Sequence, residues 1–340
     1  MAGLGIALSG CAAGYLAQAA RGHVALMRAR EPIDRVLARP ATPPAQRATL
    51  ERARRIRDYA SAALGLPDNA SYRSYADLHR PYVVWNVVAA PALSLTPRSW
   101  CFPVAGCVAY RGYFSQRAAD AFAASLRSKG DDVLVGGVPA YSTLGRFADP
   151  LTSAMTRYGE FELAALIFHE LAHQVAYLPG DSAYNEAFAT VVEEEGLARY
   201  AASTGAAQAL DAWRRRRAQR IEVSRLFLAR RAELQQLYAA PRDAGDKLGE
   251  KARLFAALGE DLRALERRTG ESTGYGPWID AGLNNAHLVS IATYYDQMPR
   301  FERLLAAQGG DLTRFYAAVR EEVAQRRPKP PRPRFKRPPP

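Results

Sequence analysis

His169-Glu170-Leu171-Ala172-His173 is the segment of this chain best equipped for chemistry. On a helix, residues four apart lie one turn apart on one face, so both imidazoles can hold one ion. Glu170 directly follows the first histidine, where its carboxylate reaches a metal-bound water instead of the metal. On zinc the pKa of that water falls toward ~7, and the carboxylate can take its proton as hydroxide attacks a carbonyl. Catalytic zinc keeps three protein ligands and one open position. A third ligand is therefore needed, and the next helix, which opens near Asn185, carries Glu186 and Glu193. Seven residues separate them, two helical turns, so they share a face. Zn2+ is the expected cofactor and peptides are the expected substrates.

The segment Asn185-Glu186-Ala187-Phe188-Ala189 resembles the gluzincin metallopeptidases. These carry a glutamate ligand after an asparagine, on the helix following the HExxH helix. The aminopeptidase N type has Asn-Glu-Gly-Phe-Ala with another glutamate seven residues after the ligand. The resemblance implies Glu186 as the third ligand and Glu193 as an acceptor that orients a histidine ligand. The connection from His173 to Glu186 is shorter than in those relatives, and Glu193 stands at a thermolysin-like spacing, so it is the rival ligand. Gluzincins often place a Tyr or His from a later helix on the oxyanion. That implies Tyr294, two turns after His287, with a packing role as the alternative.

The chain is also similar, from about residue 12 to 320, to a family of bacterial putative aminopeptidases. The matching pieces are Tyr141 to Gly145, Asp149-Pro150, His169 to Gln174, Asn185 to Thr190 and Leu283 to Ala286. Exopeptidase action needs a group to hold the substrate ammonium. Glu160, Glu162 and Asp149 are available, and the sequence does not place them.

The elements that must position these residues follow from periodicity and breakers. Residues 12 to about 64 read as two helices broken at Pro40, Pro43 and Pro44. Tyr82 to Val88, Val108 to Phe114 and Asp131 to Val138 are rich in β-branched and aromatic residues and read as strands. Residues 115–129 return to helix. Ala140 to Leu144 reads as an edge strand able to pair with a peptide backbone. Helices follow over Glu160 to Tyr177 and Tyr184 to about Ala202, with Asp181-Ser182 at the N-cap of the second. Two long charged helices, 206–238 and 245–268, form a hairpin. The last helices span Asn284 to Gln297 and Pro299 to Val323. The expected fold is α+β: mostly helical and zincin-like, with a small mixed sheet and an added hairpin. The expected domains are a catalytic unit over 12–205 and 270–323, with the hairpin inserted at 206–269.

Charge and cysteines bound the setting. The net charge is +12, yet Arg326 to Pro340 alone holds seven Lys or Arg and no acid. The excess is mainly a Pro-rich basic tail over 324–340, expected to be disordered, and no nucleic-acid partner is expected. Gly3 to Leu8 is apolar, and Leu8-Ser9-Gly10-Cys11 resembles the lipobox of bacterial lipoproteins. That resemblance implies cleavage of residues 1–10, a lipid anchor on Cys11, and a protein facing the periplasm from a membrane, the outer membrane first. In such a compartment Cys101 and Cys107 are expected to pair. Three alternatives stand beside the aminopeptidase reading: an endopeptidase of the same class, a non-catalytic envelope protein with structural zinc, and an interaction module built on the hairpin.

Overall fold

The structure, a computed structural model, describes residues 10–102, 106–140, 142–291 and 297–326. The helices are α1 (Gly10–Arg28), α2 (Ile33–Ala38), α3 (Pro44–Ala62), α4 (Gln116–Arg127), α5 (Glu160–Val175), α6 (Ser182–Thr204), α7 (Ala207–Ala239), α8 (Ala244–Thr269), α9 (Gly276–Ala281), α10 (Asn285–Ile291), α11 (Met298–Ala307) and α12 (Leu312–Arg326). The strands are β1 (Glu31–Pro32), β2 (Ser74–Ala76), β3 (Val84–Pro91), β4 (Trp100–Phe102), β5 (Gly106–Val108), β6 (Arg111–Tyr113), β7 (Asp131–Val138) and β8 (Leu151–Thr152). The fold is α+β, 63% helical with small sheets. No helix of the described residues is long and apolar enough to cross a membrane.

The strands form three separate small sheets. In the largest, β3 lies between β6 and β7, antiparallel to both. A second is mixed, with β2 antiparallel to β1 and parallel to β8. The third is the β4–β5 ribbon, in which Cys101 faces Cys107 and the two form a disulfide.

Among the described residues the apolar interior falls into four clusters, and the two largest are mainly helical. The main one packs α3, α5, α6, α11 and α12 around Leu50, Ile56, Phe168, Phe188, Phe301 and Phe315, all fully buried. The other joins α7 and α8 through Phe227, Leu234, Leu258 and Leu262 and reaches Leu283 and Leu288. The hairpin thus has its own apolar seam, while Trp213 and Leu210 near its start belong to the main core.

Several expectations differ from the structure. Residues 12 to about 64, read as two helices, form three, α1, α2 and α3. Val108 to Phe114, read as one strand, supplies the end of β5 and all of β6, which lie in separate sheets. The edge strand expected over Ala140 to Leu144 is not formed: Tyr141 lies outside the described residues, Ser142 is irregular and Thr143 opens a turn that closes at Arg146. The Asp149 carboxylate accepts from the Thr143 N–H and from its hydroxyl, both at 2.8 Å, and Leu144 takes a left-handed φ of 55°. Those bonds satisfy backbone that a strand would have offered to a neighbour. The helix expected from Pro299 to Val323 is two helices, interrupted where Gly309 and Gly310 both adopt positive φ. The helix expected to end before the tail runs on through Arg326, whose guanidinium donates to Asp181 at 2.7 Å. Residues 1–9 and the rest of the tail lie outside the described residues.

Candidate metal centre

The centre is built by α5 and α6 as an antiparallel pair. Glu160 and Glu162 sit in the first turn of α5, where a helix dipole favours negative charge. The chain then turns at Gly180, φ 85°, and Asp181 caps α6 by accepting from the Tyr184 N–H at 3.0 Å. Asn185 closes the loop. Its side chain accepts from the Leu178 N–H at 2.7 Å and donates to the Leu178 carbonyl at 2.9 Å. Asn185 is 1% exposed, so both its bonds are made out of competition with water. Gly196 lets the two helices approach. A Cβ there would stand 2.8 Å from the Phe168 ring and 2.9 Å from Leu64.

This pairing brings three donor atoms together. His169 Nε2 lies 3.1 Å from Glu186 Oε2 and 3.2 Å from His173 Nε2, and His173 Nε2 lies 3.7 Å from Glu186 Oε1. Ligand atoms of His169, His173 and Glu186 all fall within 4.8 Å of one another, a group that could hold a metal ion. Glu193 sits on the other nitrogen of His169, with Oε2 3.0 Å from Nδ1.

The donor chemistry fits a cation. Nδ1 of His169 must donate to Glu193, which leaves a neutral ring with a lone pair on Nε2 aimed at the Glu186 carboxylate. That contact is favourable only with a positive charge between them or on the ring. Burial pushes the His169 imidazole down, but its bonds to Glu186 and Glu193 outweigh it and raise the group to about 10. His173 is pushed the other way, to about 4, by burial and by His169. Burial raises Glu186, yet its bond to His169 and both histidines outweigh it and hold it below the carboxylate range. Two imidazoles and one carboxylate form a ligand set that zinc takes.

Glu170 points into the same space. Burial raises its carboxyl, against the opposing charge of His169 and a hydrogen bond from Ser142. A cavity of about 610 Å³ opens over the centre, lined by Glu170, Ser142, Tyr110, Tyr177, Trp213 and Arg220 among others. That size and mixed lining suit an organic ligand. Spacing alone could not have found the lining residues, because they come from five separate stretches of chain. Of the possible ammonium anchors, Glu162 lines the cavity and is ion-paired with Arg216. Glu160 is bonded to Tyr200, and Asp149 is buried under Thr143. Tyr294 lies outside the described residues. His287 is buried on α10, where its Nδ1 accepts from the Asn284 N–H at 3.1 Å, and it does not line the cavity.

Neither a curated protein nor a solved structure matches the chain. The family described as putative aminopeptidase matches residues 14–332, a span that contains the α5–α6 pair and every residue of the centre, and the chain belongs to that family.

Proposed function

We propose that this protein is a zinc-dependent peptidase of the gluzincin type that removes residues from peptide N-termini. The observation that carries the reading is the convergence of His169, His173 and Glu186, with Glu193 behind His169 and Glu170 facing the cavity. Membership of the aminopeptidase family supports peptide-bond hydrolysis. Zinc held by the three donors supplies Lewis acidity, which makes a water acidic near neutral pH and polarises a carbonyl oxygen. Glu193 accepts the Nδ1 proton of His169 and so keeps Nε2 turned toward the donors. Glu170 takes the proton of the attacking water and returns it to the departing amine. Ser142 holds that carboxylate by its hydroxyl. Tyr110 and Tyr177 line the cavity with His173, and both are candidates for the oxyanion donor. Tyr294 is the third tyrosine proposed for that role.

The test is digestion of a peptide library by zinc-loaded protein, with free and acetylated N-termini compared. Stepwise loss of N-terminal residues from free peptides alone is the expected result. Internal cleavage of both sets would make the protein an endopeptidase of the same class. No cleavage with one zinc bound would favour a structural zinc site.

We further propose that the chain is lipid-anchored at Cys11 on the periplasmic side of a bacterial membrane. The Cys101–Cys107 disulfide supports an oxidising compartment. Metabolic labelling with a fatty-acid probe should mark the wild type and not Cys11→Ser. Equal labelling would dismiss the anchor.

A further inference from the structure

A larger cavity adjoins the first. It measures about 1210 Å³ and shares His173, Ser142, Leu144, Tyr110 and Tyr177 with the cavity over the metal centre. The two therefore form one cleft that passes the donors. The walls differ in charge. The first cavity carries Glu162, Glu170, Glu186 and Glu193 beside one arginine, Arg220, whereas no carboxylate lines the second among the described residues. Arg146 and Arg320 line that second cavity.

Both arginines are exposed residues that stand on or beside packed elements. Arg146 follows Gly145, whose Cα side abuts Gln174 (a Cβ there would stand 3.1 Å from its Oε1), and Gln174 is the neighbour of His173. The Arg146 N–H closes the turn by donating to the Thr143 carbonyl at 3.2 Å. Arg320 stands on α12, one turn from Val323, which is buried in the main core. Among the described residues no acid of the cavity wall answers their two positive charges.

We propose that this second cavity binds the free α-carboxylate of a short peptide substrate, with Arg146 and Arg320 as its cationic partners. The inference rests on the peptidase reading and names its substrate class. The substrate's leading residue occupies the carboxylate-rich first cavity. The scissile bond lies over the donors, and the departing peptide extends past His173 to the arginines. Charge-assisted bonds from guanidinium to carboxylate are stronger than neutral ones and directional. They select peptides whose C-terminus is free and within reach.

The test separates binding from turnover. Zinc-loaded Glu170→Gln protein is titrated with a tetrapeptide bearing a free C-terminus, the same peptide as its amide, and an amide with glutamate in the last position. The free acid is expected to bind about tenfold tighter than either amide, with the preference shrinking as salt rises. In Arg146→Gln/Arg320→Gln protein the preference should vanish, and Lys at both positions should restore part of it. With active enzyme the same loss should fall on KM and leave kcat unchanged. Equal binding of acid and amide overturns the proposal. So does a preference that survives removal of both arginines, or equal binding of the glutamyl amide. Preferential binding of the free acid without hydrolysis by the wild type would keep this site and dismiss the peptidase reading.

Discussion

His169 is gripped from both sides: Glu193 Oε2 lies 3.0 Å from its Nδ1, and Glu186 Oε2 lies 3.1 Å from its Nε2. The two carboxylates come from one face of α6, so a single helix sets both the ring's orientation and the donor opposite it. His173 has no such support. Among the described residues its buried Nδ1 has no hydrogen-bond partner, so its polar contacts are all on the Nε2 side, to His169 and Glu186.

This asymmetry ranks the glutamates. Glu186→Ala is expected to abolish stoichiometric zinc binding, while Glu193→Ala should weaken it about 10- to 100-fold. Competition with a chelating dye measures both. The reverse order would make Glu193 the ligand and Glu186 the supporting group.

Glu170→Gln is expected to lower kcat by a factor on the order of 10² to 10⁴ while one zinc stays bound. Zinc content and turnover, measured on one preparation, check this. Loss of zinc with activity would show that Glu170 acts through the metal site's integrity and not as a base.

Tyr110→Phe and Tyr177→Phe test two of the three tyrosines that line the cavity among the described residues, Tyr158 being the third. The residue that donates to the oxyanion should lose about 10²-fold in kcat with KM nearly unchanged. The other should lose little. Two near-neutral variants would move the role to Tyr158 or Tyr294.

Gly196→Ala tests how the centre depends on helix approach. A methyl 2.8 Å from the Phe168 ring must push α6 away from α5, at a cost of about 1–3 kcal/mol. The expected result is a lower melting temperature together with weaker zinc binding, because Phe168 immediately precedes His169. A drop in stability with zinc affinity unchanged would show that the centre tolerates the shift.

His287 gives the stability a pH dependence away from the metal. Burial, opposed by the Asn284 bond and by Asp132, pushes this imidazole down to about 4 from the usual 6.5. On acidification the unfolded chain takes the proton near pH 6.5 and the folded chain only near 4. The unfolded state therefore holds more protons between them, and stability falls as pH falls through that window. For a group 4% exposed the loss is on the order of 3 kcal/mol by pH 4. Denaturant midpoints at pH 7 and 4.5, compared between wild type and His287→Asn, should show the smaller drop in the variant. Parallel drops would place the acid sensitivity elsewhere.

What could be read from the sequence was local. The α5 and α6 helices, the Asp181 cap and the face shared by Glu186 and Glu193 follow from spacings within one turn or two, which backbone geometry dictates. β7 was legible for the same reason, its β-branched run matching Asp131–Val138. Ser142 to Leu144 misled because its composition suits a strand, while the decisive partner, Asp149, acts through side-chain bonds that no periodicity encodes. The cavity walls were illegible too. Trp213 comes from α7 and Tyr110 from the β5–β6 turn, and only tertiary packing brings them to His169. Asn185 was visible as part of a motif, but its task of closing the Leu178 loop was not.

That loop closure bears on the order of assembly. All three donors lie in one helical hairpin with a short connection, so bringing them together costs little chain entropy. The hairpin can thus capture its ion while α11 and α12, which cover it through Phe301 and Phe315, are still being placed. Zinc would then serve as a folding seed as well as a reagent. Refolding followed by pulsed hydrogen exchange should show zinc advancing protection in α5 and α6 ahead of α12. Simultaneous protection of all three helices would argue that the metal enters a finished fold.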